Sequence, residues 1–175
     1  MLIMPPKSAK KPRKPQKPQK PWSMLPEQHR AVLLEVKDNK LSFRFQNLDD
    51  DKSIKSWDTS IHGIFACKNP ECASKGWASK SIATTIRLYP DSRYNARIYH
   101  QRCIQCNTLS RPQVAVDVYA ERVSYWLKEW SGVKVEKPKH GPRTKLPHEI
   151  SLCEGCKVGR CKDSKHKAHE DDEED

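Results

Sequence analysis

The sequence has no run that approaches the ~18 apolar residues of a membrane-spanning helix. Apolar residues supply only 35% of its 175 positions, and the mean hydropathy is −0.90. The opening Met1-Leu2-Ile3-Met4 is too short for the apolar region of a signal peptide, and a Pro/Lys tract follows it directly. A secreted or membrane-anchored protein is therefore not expected, and an intracellular one, cytoplasmic or nuclear, is. Recognisable catalytic machinery is also missing, with no phosphate loop and no nucleophile–base pair. His148-Glu149 is not followed by a second histidine at the metalloprotease spacing, and the His-x-Glu with Pro-Cys-x-x-Cys of nucleobase deaminases does not occur. So little apolar material can bury one small core but hardly two.

Basic charge is what the chain has in excess. Lys and Arg number 33 against 22 Asp and Glu, for a formal charge of +11. That balance favours polyanionic partners. Residues 1–22 alternate Lys7, Lys10, Lys11, Arg13, Lys14, Lys17 and Lys20 with prolines. Proline removes helix and ladder bonds and like charges repel, so a disordered basic arm is expected, usable as a localisation signal or a nucleic-acid contact. Residues 162–175 end in Glu170-Asp171-Asp172-Glu173-Glu174-Asp175 and read as a solvated acidic tail. Between these tails, 23–161 holds 23 basic and 15 acidic residues.

Within that unit, Pro26 to Val36 predicts a helix, with Pro26 and Glu27 suited to the first turn and Val32, Leu33 and Val36 forming one stripe. Leu41 to Phe45 alternates as a strand does, and Asp49-Asp50-Asp51 reads as a solvated turn. Ile82 to Leu88 and Tyr94 to Gln101 predict a hairpin closed by Pro90-Asp91-Ser92. Its alternation sets Ile82, Ile86, Leu88, Ala96 and Ile98 on one face and Arg87, Tyr89, Arg97 and Tyr99 on the other. Ala115 to Trp130 predicts the longest helix, with Val116, Tyr119, Val123, Trp126, Leu127 and Trp130 on its core side and Gly132 as its stop. Val133 to Lys145 reads as a flexible crossover. The expected class is α+β: a small domain of ribbon-like β-hairpins with one or two helices, and 23–59 packing on the unit at 60–161.

Seven cysteines carry most of the chemistry. An odd count in a reducing compartment disfavours a disulfide framework. They fall as Cys67-x4-Cys72, Cys103-x2-Cys106 and Cys153-x2-Cys156, with Cys161 beyond. Short Cys-x2–4-Cys loops let two sulfurs reach one tetrahedral zinc. Two such ions need eight ligands, and His148, five positions before Cys153, is the natural eighth. His100 shares the packing side of its strand with Ala96 and Ile98, and His62 has no partner, so neither is expected to ligate. Sequential pairing groups Cys67, Cys72, Cys103 and Cys106 apart from His148, Cys153, Cys156 and Cys161. Crossed pairing returns the third pair to the first and leaves Cys103, Cys106, His148 and Cys161. Loop closure favours the sequential form only weakly, because its entropy grows as a logarithm. Either way the protein fills both shells, and closed shells are structural rather than catalytic. Two Zn²⁺ with seven thiolates change the charge by −3, so the loaded chain stands near +8.

The run Gly63-Ile-Phe-Ala-Cys67, Trp77-x-Ser79, Gln101-Arg-Cys103-Ile-Gln-Cys106 with Pro112, His148-Glu149 and Leu152-Cys153-Glu-Gly-Cys156-Lys-Val-Gly-Arg-Cys161 resembles the 3CxxC-type zinc-binding domain. The likeness covers roughly 60–161 and implies zinc at the eight positions named. The first pair departs from the family's usual Cys-x2-Cys. The domain occurs in largely uncharacterised fungal proteins, in receptor-transporting proteins with a C-terminal membrane anchor, and in zygote arrest proteins that act on messenger RNA. The acidic tail here argues against a membrane anchor.

Two functions are expected on these grounds. The first is a non-enzymatic zinc module that contacts RNA through Arg87, Tyr89, Arg97 and Tyr99, since arginines neutralise phosphates and tyrosines stack on unpaired bases. Lys75, Lys80, Arg93, Arg102 and Arg111 would extend that patch. The second is a protein-interaction or trafficking adaptor, with Trp22 and Trp57 as candidate exposed aromatics. No small-molecule substrate is evident.

Overall fold

The structure is a computed structural model that describes residues 19–138 and 148–164. Most of the basic arm, the later part of the crossover and the acidic tail beyond 164 lie outside the described residues. In chain order the elements are β1 (Trp22–Ser23), a 3-10 turn (Pro26–Gln28), α1 (His29–Val36), a second 3-10 turn (Lys37–Asn39), β2 (Arg44–Phe45), β3 (Lys55–Ala66), β4 (Gly76–Tyr89), β5 (Arg93–Tyr99), β6 (Gln101–Arg102), β7 (Leu109–Ser110), β8 (Pro112–Gln113), α2 (Val116–Trp130), a 3-10 turn (Ile150–Leu152) and α3 (Glu154–Lys157).

The main sheet runs β1-β5-β4-β3-β8, with β2 also on β5, while β6 and β7 make a separate ribbon. The expected hairpin forms with Ile86 opposite Ala96 and Leu88 opposite Tyr94. Its turn puts Asp91 and Ser92 at φ 61° and 53°, a region that Asp tolerates. The sequence pattern does not reveal β3, whose Lys55-Ser56 start and Asp58, Thr59, Ser60 and His62 dilute its apolar period. The strand expected at 41–45 shrinks to β2, which pairs parallel with β5 (Arg44 opposite Arg93).

One face of the sheet is the apolar core. Ile61, Phe65, Ile82, Ile86, Ala96 and Ile98 meet Val32 and Val36 of α1 and Tyr119, Val123 and Leu127 of α2. Each large side chain removed from water there contributes about 1.5–3 kcal/mol. α2 takes the predicted span, except that Val116 is exposed and Val118 packs on the core instead. Its end is fixed by Gly132 at φ 79°, which lets the amides of Gly132 and Val133 donate to the carbonyls of Glu129 and Lys128. At the far end of β3–β4, Phe65 and Trp77 stack across the strands at 4.9 Å. No helix among the described residues is long and apolar enough to cross a membrane.

Candidate metal centres

β3 and β4 form one long hairpin whose turn, residues 67–75, is the first cysteine loop. The Cys67 amide donates to the Lys75 carbonyl at 3.3 Å, and the Cys72 amide to the Asn69 carbonyl at 3.1 Å. Asn69 Oδ1 accepts from the Glu71 amide and tightens the extra residues of this wider loop. The second cysteine loop joins β6 to β7. There the Cys103 amide donates to the Thr108 carbonyl and the Asn107 amide to the Cys103 carbonyl, with Asn107 at φ 58°. The two loops face each other. Cys67 Sγ lies 3.5 Å from Cys106 Sγ and Cys72 Sγ 3.9 Å from Cys103 Sγ, and all four sulfurs fall within 4.8 Å of one another. Sulfurs ~2.3 Å from a tetrahedral zinc stand ~3.8 Å apart, so this donor set fits the ion.

The second cluster is built locally. Cys153 precedes the single turn of α3, Cys156 sits on it, and a turn at Gly159 brings Cys161 back. His148 Nε2 lies 3.3 Å from Cys156 Sγ and 3.7 Å from Cys161 Sγ, and the four donors again fall within 4.8 Å. The pairing is therefore sequential, and His148 is the eighth donor. His62 is exposed and belongs to neither cluster. His100 is buried beside the sheet, where burial and then the charge of Arg111 hold its pKa down to about 4.

So many thiols in so little space cannot all ionise unaided. At Cys106 the hydroxyl of Thr108, 3.2 Å away, and then the Thr108 amide favour the thiolate and draw its pKa down to about 6. Hydrogen bonds from Cys156 and Cys161 draw Cys153 down to about 3, while Cys153 and then Cys161 push Cys156 well up. A divalent cation removes this conflict, because ligation favours the thiolate at every sulfur. Two structural zinc ions follow from the donor sets. Asp163, which sequence reasoning missed, lies 3.6 Å from His148 Nδ1, and Ser81 Oγ donates to its carboxylate. Such a carboxylate orients a ligating imidazole from behind. Hydrogen bonding to Cys161, and further down the charge of Asp163, raise the His148 pKa.

Gln101 lies between the clusters. Its backbone pairs with Ser110 of β7, in the ribbon that carries the second cysteine loop, and bridges to Cys153 of the second cluster. Its side chain accepts from Trp77 Nε1 and donates to Ser79 Oγ and the Ser81 carbonyl. Arg102 likewise donates to Glu154 at 2.6 Å and to the Asn107 carbonyl at 3.2 Å, tying one cysteine loop to α3 of the other.

The hairpin face expected to meet RNA is covered instead. Ala83 and Tyr99 pack on Cys153, Cys156 and Cys161, with Trp22 and Ile150 at the margin. A Cβ on Gly155 would stand only 2.4 Å from Ala83 Cβ, so glycine lets α3 approach the strand. Further along, the Asp49–Asp51 segment closes over the sheet. Asp49 accepts from Arg87 Nη1 at 3.2 Å and from Arg97 Nε at 2.5 Å. Tyr89 donates to the Asp50 carbonyl at 3.1 Å. Tyr89 is 1% exposed, Tyr99 3% and Arg87 5%, while Arg97 lies over the Trp22 ring. The Asp49-Asp50-Asp51 run is thus no mere solvated turn, because Asp49 neutralises two arginines beneath it. Of the residues expected to extend the patch, Arg102 pairs with Glu154, Arg93 binds Gln46 and the Pro90 carbonyl, and Arg111 lies 3.7 Å from Glu27. Lys75 and Lys80 are exposed.

The profile of the 3CxxC zinc ribbon family, described as a zinc-binding domain, matches residues 60–159, more than half of the chain. The match takes in seven of the eight donors and stops two residues short of Cys161. No curated protein and no solved structure matches the chain.

Proposed function

Because this chain belongs to the 3CxxC zinc ribbon family, we propose that it is a non-enzymatic module whose two structural zinc ions brace a surface for RNA or another nucleic acid. The observation that carries the reading is charge. The described portion holds 22 basic residues against 16 acidic ones, and setting aside Arg87, Arg97 and Arg102 with their partners Asp49 and Glu154 leaves 19 against 14. The Pro/Lys arm adds six more basic residues before residue 19. With both ions loaded the whole chain stays near +8, enough to draw a polyanion through counterion release. Filled zinc shells, with every donor supplied by protein, support a role without catalysis. The protein then works inside the cell, in cytoplasm or nucleus.

Titrating zinc-loaded full-length protein with labelled single-stranded and duplex RNA at several salt concentrations tests this reading. Binding whose logarithm falls linearly with the logarithm of salt supports it, and no binding at low salt overturns it. The alternative is a protein-interaction or trafficking adaptor. Ile104, 74% exposed at the tip of the second cysteine loop, favours that reading, as do the exposed Leu48 and Ile54. If RNA does not bind and Ile104→Ser abolishes capture of a defined cellular protein, the adaptor stands.

A further inference from the structure

A cleft of about 160 Å³ opens between β3, α2 and the segments at 137–138 and 162. Trp57, 45% exposed, forms one side and packs on Trp126 at a 31° tilt with centroids 4.6 Å apart. Tyr125 meets Trp126 edge-on at 5.1 Å. Arg122, Lys137 and Lys162 supply the charge, and no carboxylate is among the lining residues. Arg122 donates through Nη1 to Thr59 Oγ1 at 3.2 Å, but its Nε is buried with no hydrogen-bond acceptor. Burial lowers the pKa of Arg122, which Glu121 partly offsets.

An orphaned guanidinium N–H and two ammonium groups call for an anion. The exposed indole beside them calls for a flat ring. A cationic groove set with aromatic platforms is how single strands are held, and the guanidinium fork suits phosphate. The cleft is smaller than the ~300–1,000 Å³ pockets that enclose whole small molecules. It has room for one ring or one phosphate of a longer chain rather than a free metabolite. Duplex RNA hides its base faces and offers nothing to the indole.

We propose that this cleft takes one nucleotide of a single-stranded RNA, its base against Trp57 and its phosphate against Arg122, Lys137 and Lys162. The assignment rests on the nucleic-acid reading above, and it moves the contact from the covered hairpin face to the helix side of the sheet.

The test uses full-length, zinc-loaded protein and labelled oligouridylate at several salt concentrations, with a duplex of equal length as the contrast. Trp57→Ala should weaken single-strand binding about 5- to 150-fold with little change in the salt slope, the range for one stacked base. Lys137→Gln with Lys162→Gln, exchanges of two cations that line the cleft, should lower that slope by at most about 0.7, the value for one phosphate. Because Trp57→Ala also removes the packing on Trp126, ultraviolet crosslinking of the parent protein to the same RNA gives a second readout. Uridine should attach at Trp57 or Tyr125. If the parent binds RNA but both variants match it and the crosslinks fall elsewhere, the cleft assignment is wrong while the nucleic-acid reading stands. If the parent binds no RNA, both fall together. Displacement of the RNA by polyglutamate at equal charge concentration would also overturn the assignment, in favour of an acidic protein partner.

Discussion

Asp49→Ala should be among the most destabilising single changes outside the zinc donors. The Asp49 side chain is 5% exposed and accepts from Arg87 and Arg97 at once, and the Arg87 side chain is only 6% exposed. Removing one member of a buried ion pair leaves an unneutralised charge and costs ~3–5 kcal/mol. Two features bring the value here toward the lower end. Arg97 keeps 21% of its side chain in water, and Asp51 stands 3.8 Å from Arg87, although that carboxylate is 98% exposed. About 3 kcal/mol remains, or roughly 6–12 °C in the midpoint for a chain of this size. Thermal unfolding followed by circular dichroism at fixed free zinc is the assay, because bound metal itself makes the midpoint depend on concentration. Asp51→Ala is the control, since an exposed pair is worth only ~0–1 kcal/mol. Asp49→Asn keeps the shape and loses the charge, so it should fall close to Asp49→Ala. Equal midpoints for Asp49→Ala and Asp51→Ala would refute the reasoning and return Arg87 and Arg97 to the list of available cations.

Native mass spectrometry should find two zinc ions per chain, and His148→Ala should retain one; two ions in that variant would remove His148 from the donor set. Gly155→Ala places a Cβ 2.4 Å from Ala83 Cβ, so α3 must lift from the sheet. That overpacking should cost ~1–3 kcal/mol and loosen the second zinc, seen as faster loss to a chelator; unchanged release would show that the contact has slack. His100 stays neutral down to about 4 when folded, against an ordinary value of 6.5. The unfolded chain thus binds the extra proton between those pH values, and the stability is present above the upper one and is lost as pH falls toward the lower. His100→Gln should flatten the decline in unfolding free energy over that window at fixed free zinc, and an unchanged slope would show that His100 does not cause it.

The spacing of the cysteines and of His148 determined the donor set by itself, because two donors no more than five positions apart are neighbours in any fold. Local period likewise placed α1, α2 and the β4–β5 hairpin, since Val32 and Val36 on a helix or Ile86 and Leu88 on a strand repeat at the interval their own backbone imposes. The tertiary structure alone decided what each face touches. Alternation separates Arg87, Tyr89, Arg97 and Tyr99 from the apolar side, yet it is silent on whether water or another segment lies over them. Here the covering pieces are Asp49, 38 residues before Arg87, and the second zinc loop, whose Cys153 joins Tyr99 in one packed cluster. Their docking rests on the loss of a side chain at Gly155 and on one carboxylate in an acidic run, and neither has a period to betray it. Sequential pairing was decided in the same way. The chain entropy of the two closures differs little, whereas the β3–β4 hairpin carries its cysteine loop directly to the β6–β7 ribbon.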